Sequence, residues 1–306
     1  MPHPKRPISL APLSAWECYE ACVQSPRHVV SLLRAVYRAA SGTSPRVLHE
    51  DFCGTAAVSR RFVEDGARAG EAWHALATDL DEQALAQGER LLDATTPGVV
   101  LCKHDCLRGE VASLTQSVGT SSATPSDLAH GADIIWVGNF SICYAHTRAE
   151  LVRYLAHCLA RLRAGNQGFG GGFLAVDIYG GKNAYTLGSL ERTHTARTGE
   201  QVRYLWQHEA ADPRTGMVRN SISMRLLVDG EVVCEYPRAF VYDWRLWSLA
   251  ELREAMHEVG FESVELHKEV ALAPDEVPQP LRSASELPED YAVVLVARGE
   301  RNPHTS

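Results

Sequence analysis

The chain predicts an α/β fold: a doubly wound, mostly parallel sheet of seven strands carrying an antiparallel β insertion over the site. Three observations predict it. Between residues 46 and 178, short apolar runs alternate with segments of helical period, as parallel strands and crossover helices do. Several of those runs end in polar turns, where open α/β sheets collect the groups that touch a ligand. After Lys182 the alternation stops, and segments of period two follow, separated by the turn dipeptides Asp212-Pro213 and Asp229-Gly230.

Before the first strand, Trp16 to Ala40 carries apolar positions at helical spacing, broken near Ser25-Pro26, and reads as one or two amphipathic helices. They either lid a site or pack on the sheet edge. Residues 1 to 15 hold four prolines and little pattern, and read as a draped arm. The first strand begins at Val47 and runs into the polar turn Glu50, Asp51, Phe52, Cys53, Gly54, Thr55. Ala57, Val58, Arg61 and Phe62 then open a helix. A helix start after the first strand offers exposed N–H groups to an electron-rich guest. The stretch Arg46 to Phe62 is therefore the candidate cofactor cradle.

Trp73 to Thr78 reads as the second strand, ending in Asp79-Leu80-Asp81. Asp79, 25 positions after Gly54, is placed to accept hydrogen bonds from two ribose hydroxyls; Asp81 is the better helix cap. Val99 to Cys102 is the third strand. Asp105 beyond it either reaches an exocyclic adenine amine or caps a turn. Leu107 to Gly131, rich in Ser and Thr, reads as a surface insertion. Ala132 to Val137 is the fourth strand, continuous and apolar, and ends in Gly138-Asn139-Phe140-Ser141-Ile142-Cys143-Tyr144. A helix from Arg148 to Leu162 and a glycine-rich turn lead to the fifth strand, Phe173 to Ile178. Those glycines precede their strand, which argues against a phosphate loop.

Arg203 to His208, Met217 to Leu227 and Glu231 to Tyr242 are the alternating segments of the insertion. Ser248 to Val259 is a helix with a serine cap, Glu251 three residues on and Gly260 as its stop. Phe261 to Glu269 and Tyr291 to Ala297 complete the seven strands. The expected division is an arm with lid helices (1–44), a cofactor-binding core (45–181), the insertion as substrate cap (182–244), and a C-terminal helix with the last two strands (245–306).

Composition narrows the function classes. Hydrophobic residues at 45% and charged ones at 22% are ordinary globular values. With 38 acidic against 30 basic residues and a net charge of -8, no field of Lys and Arg awaits duplex nucleic acid. There is no apolar span of about 18 residues and no secretory core at the N-terminus, so no membrane partner and a cytoplasmic location are expected. Eight scattered cysteines read as reduced thiols. The pairs Cys18/Cys22 and Cys102/Cys106 lack zinc spacing and a second ligand pair, so no metal is expected.

Acids in the turns after strands one, two and three (Glu50, Asp79, Asp105) suit a nucleoside cofactor without phosphates, because the glycines that clear room for a pyrophosphate are missing. Glu50 to Ala56 resembles motif I of the class I S-adenosylmethionine-dependent methyltransferases, an acid followed by a C-G-T-G turn. The similarity extends to ATDLD, HDC, GNFS, the LRAGNQGFGGGFLAVD segment and RLWSLAELREAMHEVGF, in that order over about residues 45 to 298. Two positions depart from it: Phe52 replaces the first glycine of the turn, and Ala56 the last.

The resemblance implies a Rossmann-like methyltransferase fold, S-adenosyl-L-methionine as cofactor and S-adenosyl-L-homocysteine as product. It implies that Glu50 lies beneath the turn, that Phe52, Cys53 and Gly54 border the cofactor's path, and that Asp79 binds the ribose with Leu80 against the adenine. Asp105 would reach the adenine amine and Cys106 the ring; Asn139 and Phe140 would floor the sulfonium. The expected activity is methyl transfer to an N or O atom of a small molecule, by a monomer or homodimer. In-line displacement needs alignment and removal of a proton, so Ser141, Tyr144, Tyr179 and Arg245 are the catalytic candidates. Tyr242, Trp244 and Trp247, with Asp243 and Arg245, could box a cationic or carboxylate-bearing substrate, or the tryptophans could simply pack. His146, His194 and His208 are possible bases without a supporting pattern. The alternatives are a protein methyltransferase, a regulatory protein that keeps the fold without the chemistry, and, last, a dehydrogenase.

Overall fold

A computed structural model describes residues 12–93, 96–108, 131–165, 171–268, 276 and 278–299. Most of the expected N-terminal arm and Ser/Thr-rich insertion lie outside the described residues, as do residues 166–170 of the glycine turn and part of the proline-rich loop.

The helices form where the sequence supplies their ends. The first two are α1 (Ala15–Cys22) and α2 (Pro26–Ser41), separated at the Ser25-Pro26 break. They are followed by β1 (Val47–Asp51), α3 (Ala57–Arg68), β2 (His74–Asp79), α4 (Glu82–Arg90), β3 (Val99–Lys103) and β4 (Ile134–Val137). Asp81 caps α4, accepting the N–H groups of Gln83 and Ala84. Next come α5 (Arg148–Arg161) and β5 (Phe173–Gly181), then β6 (Gly188–Thr195), β7 (Gln201–Asp212), β8 (Met217–Val228) and β9 (Glu231–Arg245). The chain closes with α6 (Leu249–Val259), β10 (Ser263–Lys268) and β11 (Asp290–Arg298). Thr147 with Glu150, and Ser248 with Glu251, form reciprocal capping boxes at α5 and α6, and Gly260 ends α6 at φ 108°.

Seven strands form one sheet in the order β10-β11-β5-β4-β1-β2-β3. All neighbours are parallel except β11, which runs antiparallel to β5 and β10. On one face Leu33, Val36 and Tyr37 of α2 and Phe62 of α3 pack with Leu48, Trp136 and Phe173. Asp133, just ahead of β4, accepts the Tyr37 hydroxyl at 2.9 Å and the backbone N–H groups of Arg46 and Val47, which ties α2 to the start of β1.

A second, four-stranded antiparallel sheet runs β6-β7-β8-β9. Sequence reading found three of its strands and missed β6, whose residues are exposed and lack a clean apolar alternation. The polypeptide divides into two compact units: Met1–Gln24 with Tyr185–Arg245, and Ser25–Ala184 with Leu246–Ser306. The two leading helices are thus parted: α1 packs Cys18 and Tyr19 onto Val202, Ile222 and Met224 of the small sheet, whereas α2 belongs to the large one. Among the described residues no helix is long and apolar enough to cross a membrane.

Candidate active site

In the large sheet the chain proceeds from β1 outward through β2 and β3, then returns to place β4 and β5 on the other side of β1. The crevice between the ends of β1 and β4 is therefore the switch point of the sheet, where ligands of such folds sit. Two turns border it, and both are strained. After β1, Phe52, Gly54 and Ala56 have φ of 55°, 55° and 58°. After β4, Asn139 and Phe140 have φ of 54° and 61°. Of the six non-glycine residues with positive φ among the described residues, four lie in these two turns. Left-handed backbone costs an L-residue about 1–2 kcal/mol and concentrates at functional sites.

Each turn is clamped by a carboxylate from the neighbouring strand. Asp79, ending β2, accepts the Gly54 N–H at 2.6 Å through one oxygen and the Asp81 N–H at 2.9 Å through the other. Burial raises its pKa, with those two backbone donors opposing. Asp177 on β5 accepts the N–H groups of Asn139 at 2.8 Å and Phe140 at 2.6 Å. Sequence reading passed over Asp177. The rule that singled out Asp79, an acid near the C-terminal end of a strand, would have found it.

Beneath the β1 turn, Glu50 accepts the backbone N–H and the hydroxyl of Ser59 at 2.7 and 2.6 Å, so its carboxylate joins β1 to the first turn of α3. Burial pushes its pKa up to about 7, against the Ser59 bonds. Asp51 points to the opposite face of β1. It accepts Arg161 Nη1 at 2.9 Å and Nη2 at 2.5 Å, the Tyr154 hydroxyl at 2.7 Å and Thr78 Oγ1 at 3.1 Å. Burial alone would raise the Asp51 pKa; the Arg161 guanidinium outweighs it and holds the carboxyl low. Neither Tyr154 nor Arg161 carries a sequence signal, because their meeting with Asp51 spans more than a hundred residues.

The other expected cofactor residues fall along this edge. Cys53 is buried, and Cys106 sits with its sulfur 3.2 Å from Thr78 Oγ1. Leu80, directly after Asp79, is 58% exposed. Asp105 caps its own turn, one oxygen accepting the N–H groups of Leu107 and Arg108. Gly88 of α4 presses on the cradle: a Cβ there would come 2.9 Å from the Thr55 carbonyl oxygen.

Aromatic side chains line the same end of the sheet. Phe52 stacks on Tyr144 with ring centroids 6.0 Å apart and 24° between planes, and meets Tyr154 edge-on at 5.8 Å. Phe140 packs on Tyr179 at 4.8 Å. Ser141 begins the short 3₁₀ turn Ser141–Tyr144 and is 6% exposed. The structure thus brings together Ser141 and Tyr144, from the turn after β4, and Tyr179, on β5.

Along β9, the residues of the expected box divide between the two faces of the strand. Tyr242 and Trp244 stack at 4.5 Å on one face of β9. Alternation turns Asp243 to the other face, where it pairs with Arg219 at 2.6 Å, and Arg245, two residues on, shares that face. Trp247 is 2% exposed, its indole N–H donated to the Ala145 carbonyl at 3.0 Å. It supports the turn that carries Tyr144. Of the histidines singled out, His208 accepts the Trp206 indole N–H at 2.8 Å through Nε2, which leaves that nitrogen already engaged.

No family model and no curated protein matches the sequence. Solved structures do match over nearly the whole chain. The sugar N-methyltransferase KedS8 of a Streptoalloteichus species is 18% identical, with 97% of this chain and 99% of that one covered at a TM-score of 0.60. CalS10, an amino pentose methyltransferase from Micromonospora echinaspora determined with S-adenosylmethionine bound, is 15% identical, with 94% and 98% covered at 0.60. An S-adenosylmethionine-dependent methyltransferase from Clostridium acetobutylicum is 13% identical, with 92% and 95% covered at 0.61. The chain has the Rossmann-like fold of these S-adenosylmethionine-dependent methyltransferases, with the antiparallel sheet inserted after the fifth strand.

Proposed function

We propose that the protein transfers a methyl group from S-adenosyl-L-methionine to an N or O atom of a small molecule. The observation that carries this reading is the pair of left-handed turns at the β1/β4 switch point, each held by a carboxylate of the next strand. Such a crevice offers backbone and carboxylate groups to an adenosyl ligand, and the turn after β1 keeps only Gly54 of the glycines that a pyrophosphate needs, which favours this reading over a dehydrogenase. Sugar and amino pentose methyltransferases among the similar structures support a small acceptor.

The residues present fit the cofactor. Asp79 would take the ribose hydroxyls on its remaining lone pairs, Leu80 would cover the adenine, and Asp105 and Cys106 would border the base. Cys53 and Gly54 would follow the path of the amino acid end, while Glu50 braces the turn from below. Asn139 and Phe140 would floor the reacting end. When bound, the cofactor supplies a carbon already activated by a positive sulfur. The protein's share is then alignment, exclusion of water and acceptance of one proton. Tyr144 and Ser141, on the turn held by Trp247, and Tyr179 on β5 are assigned to orient the acceptor. Tyr242, Trp244 and Arg245 remain candidates for acceptor recognition.

Calorimetric titration with S-adenosyl-L-homocysteine tests the reading. Saturable binding by the wild-type protein that weakens in Asp79→Ala, followed by methylation within a panel of amino and hydroxyl acceptors, is the expected result. No heat of binding at ligand concentrations on the order of millimolar would sink it.

A further inference from the structure

Each acid around the β1/β4 crevice already accepts donors from the protein itself. Glu50 is turned onto Ser59, Asp51 onto Arg161, Tyr154 and Thr78, Asp79 onto Gly54 and Asp81, and Asp177 onto Asn139 and Phe140. What the β1 turn itself adds at this crevice is a ring. Phe52 follows the last residue of β1 directly, and its stack on Tyr144 reaches the turn after β4, so the ring pair spans the switch point. A phenylalanine at φ 55° pays a steric penalty that glycine would not, yet the surroundings hold it there. Its ring meets that of Tyr154 edge to face, and the Tyr154 hydroxyl is anchored on the Asp51–Arg161 pair. Phe52 is thus a supported feature of this turn.

We propose that Phe52 is a charge-reading residue of the cofactor site, its ring face selecting the positively charged sulfonium of S-adenosylmethionine over the neutral thioether of the product. An aromatic face attracts a cation through its quadrupole, and more strongly where water is excluded. The neutral thioether gains no such attraction, so the ring favours exchange of spent cofactor for fresh. The inference rests on the methyl-transfer reading of the site.

The test compares dissociation constants for three probes: S-adenosylmethionine, S-adenosylhomocysteine, and sinefungin, which carries an ammonium group and no methyl at the corresponding place. The protein is measured as wild type, Phe52→Gly, Phe52→Leu and Phe52→Tyr. Glycine suits φ 55° and keeps the fold, leucine keeps bulk without the π face, and tyrosine keeps the face. The expected result is a wild-type preference for both cationic probes that falls roughly 5- to 30-fold in the glycine and leucine variants and persists in the tyrosine variant. A merely structural role would weaken all three probes together. An unchanged ratio of cationic to neutral affinity in both Phe52→Gly and Phe52→Leu overturns the proposal. Wild-type protein that binds none of the three overturns the methyl-transfer reading, and this inference with it.

Discussion

The carboxylate of Asp177 accepts two consecutive backbone N–H groups, those of Asn139 and Phe140, and so fixes both residues in left-handed backbone at the end of β4. Replacing it with asparagine leaves one N–H facing an amide donor. Asp177→Asn should lower unfolding free energy by about 2 kcal/mol, measured in urea. Methyl transfer should fall by a larger factor than S-adenosylhomocysteine affinity, because the turn carries Ser141 and Tyr144. Equal losses in both would argue against a role in orienting the acceptor.

The Asp51–Arg161 pair is buried, and its two members depend on each other. Arg161→Met strands a carboxylate in the core and should destabilise the protein by about 3–5 kcal/mol. Adding Asp51→Asn should recover part of that loss. A double variant no more stable than Arg161→Met alone would show that the arginine acts by packing.

Two buried neighbours on β1 titrate in opposite senses. Glu50 is pushed up to about 7, so its contribution is full below the ordinary glutamate range near 4.5 and is lost as pH rises through 7. His49, with neither ring nitrogen hydrogen-bonded, is pushed down to about 3 by burial and then by Arg161. Its contribution is full above 6.5 and is lost as pH falls toward 3. Each trend is worth several kcal/mol as an order of magnitude, and the two oppose each other between about pH 4.5 and 6.5. Glu50→Gln should therefore unmask a stability that rises with pH through that window, and His49→Leu one that falls. Urea melts at half-unit pH steps would read this; coincident profiles for both variants would refute it.

At Gly88, the close approach to the Thr55 carbonyl makes a testable link between α4 and the cradle. Gly88→Ala should weaken S-adenosylhomocysteine binding about tenfold, while the gain in helix propensity keeps the stability change within about 1 kcal/mol. Unaltered affinity would mean that the turn yields without consequence.

Much of this was legible in the chain. The strand-turn-helix at Arg46 to Phe62, the acid after β2, the polar turn after β4 and the caps Asp81 and Ser248 are local, and periodicity with turn chemistry suffices to place them. Strand β6 was missed because an exposed edge strand has no apolar face to alternate. Spacing along β9 says nothing of what Arg219 brings across from β8 to Asp243, so that ion pair was not legible. The sequence by itself determined the order of the strands and helices of the large sheet and the strand-turn-helix at Arg46 to Phe62, with Phe52 as the odd residue of its turn. Only the tertiary structure decided which rings Phe52 packs against. Its partners Tyr144 and Tyr154 come from the 3₁₀ turn after β4 and from α5, and such long-range packing is set by the sheet's topology, which no local pattern encodes.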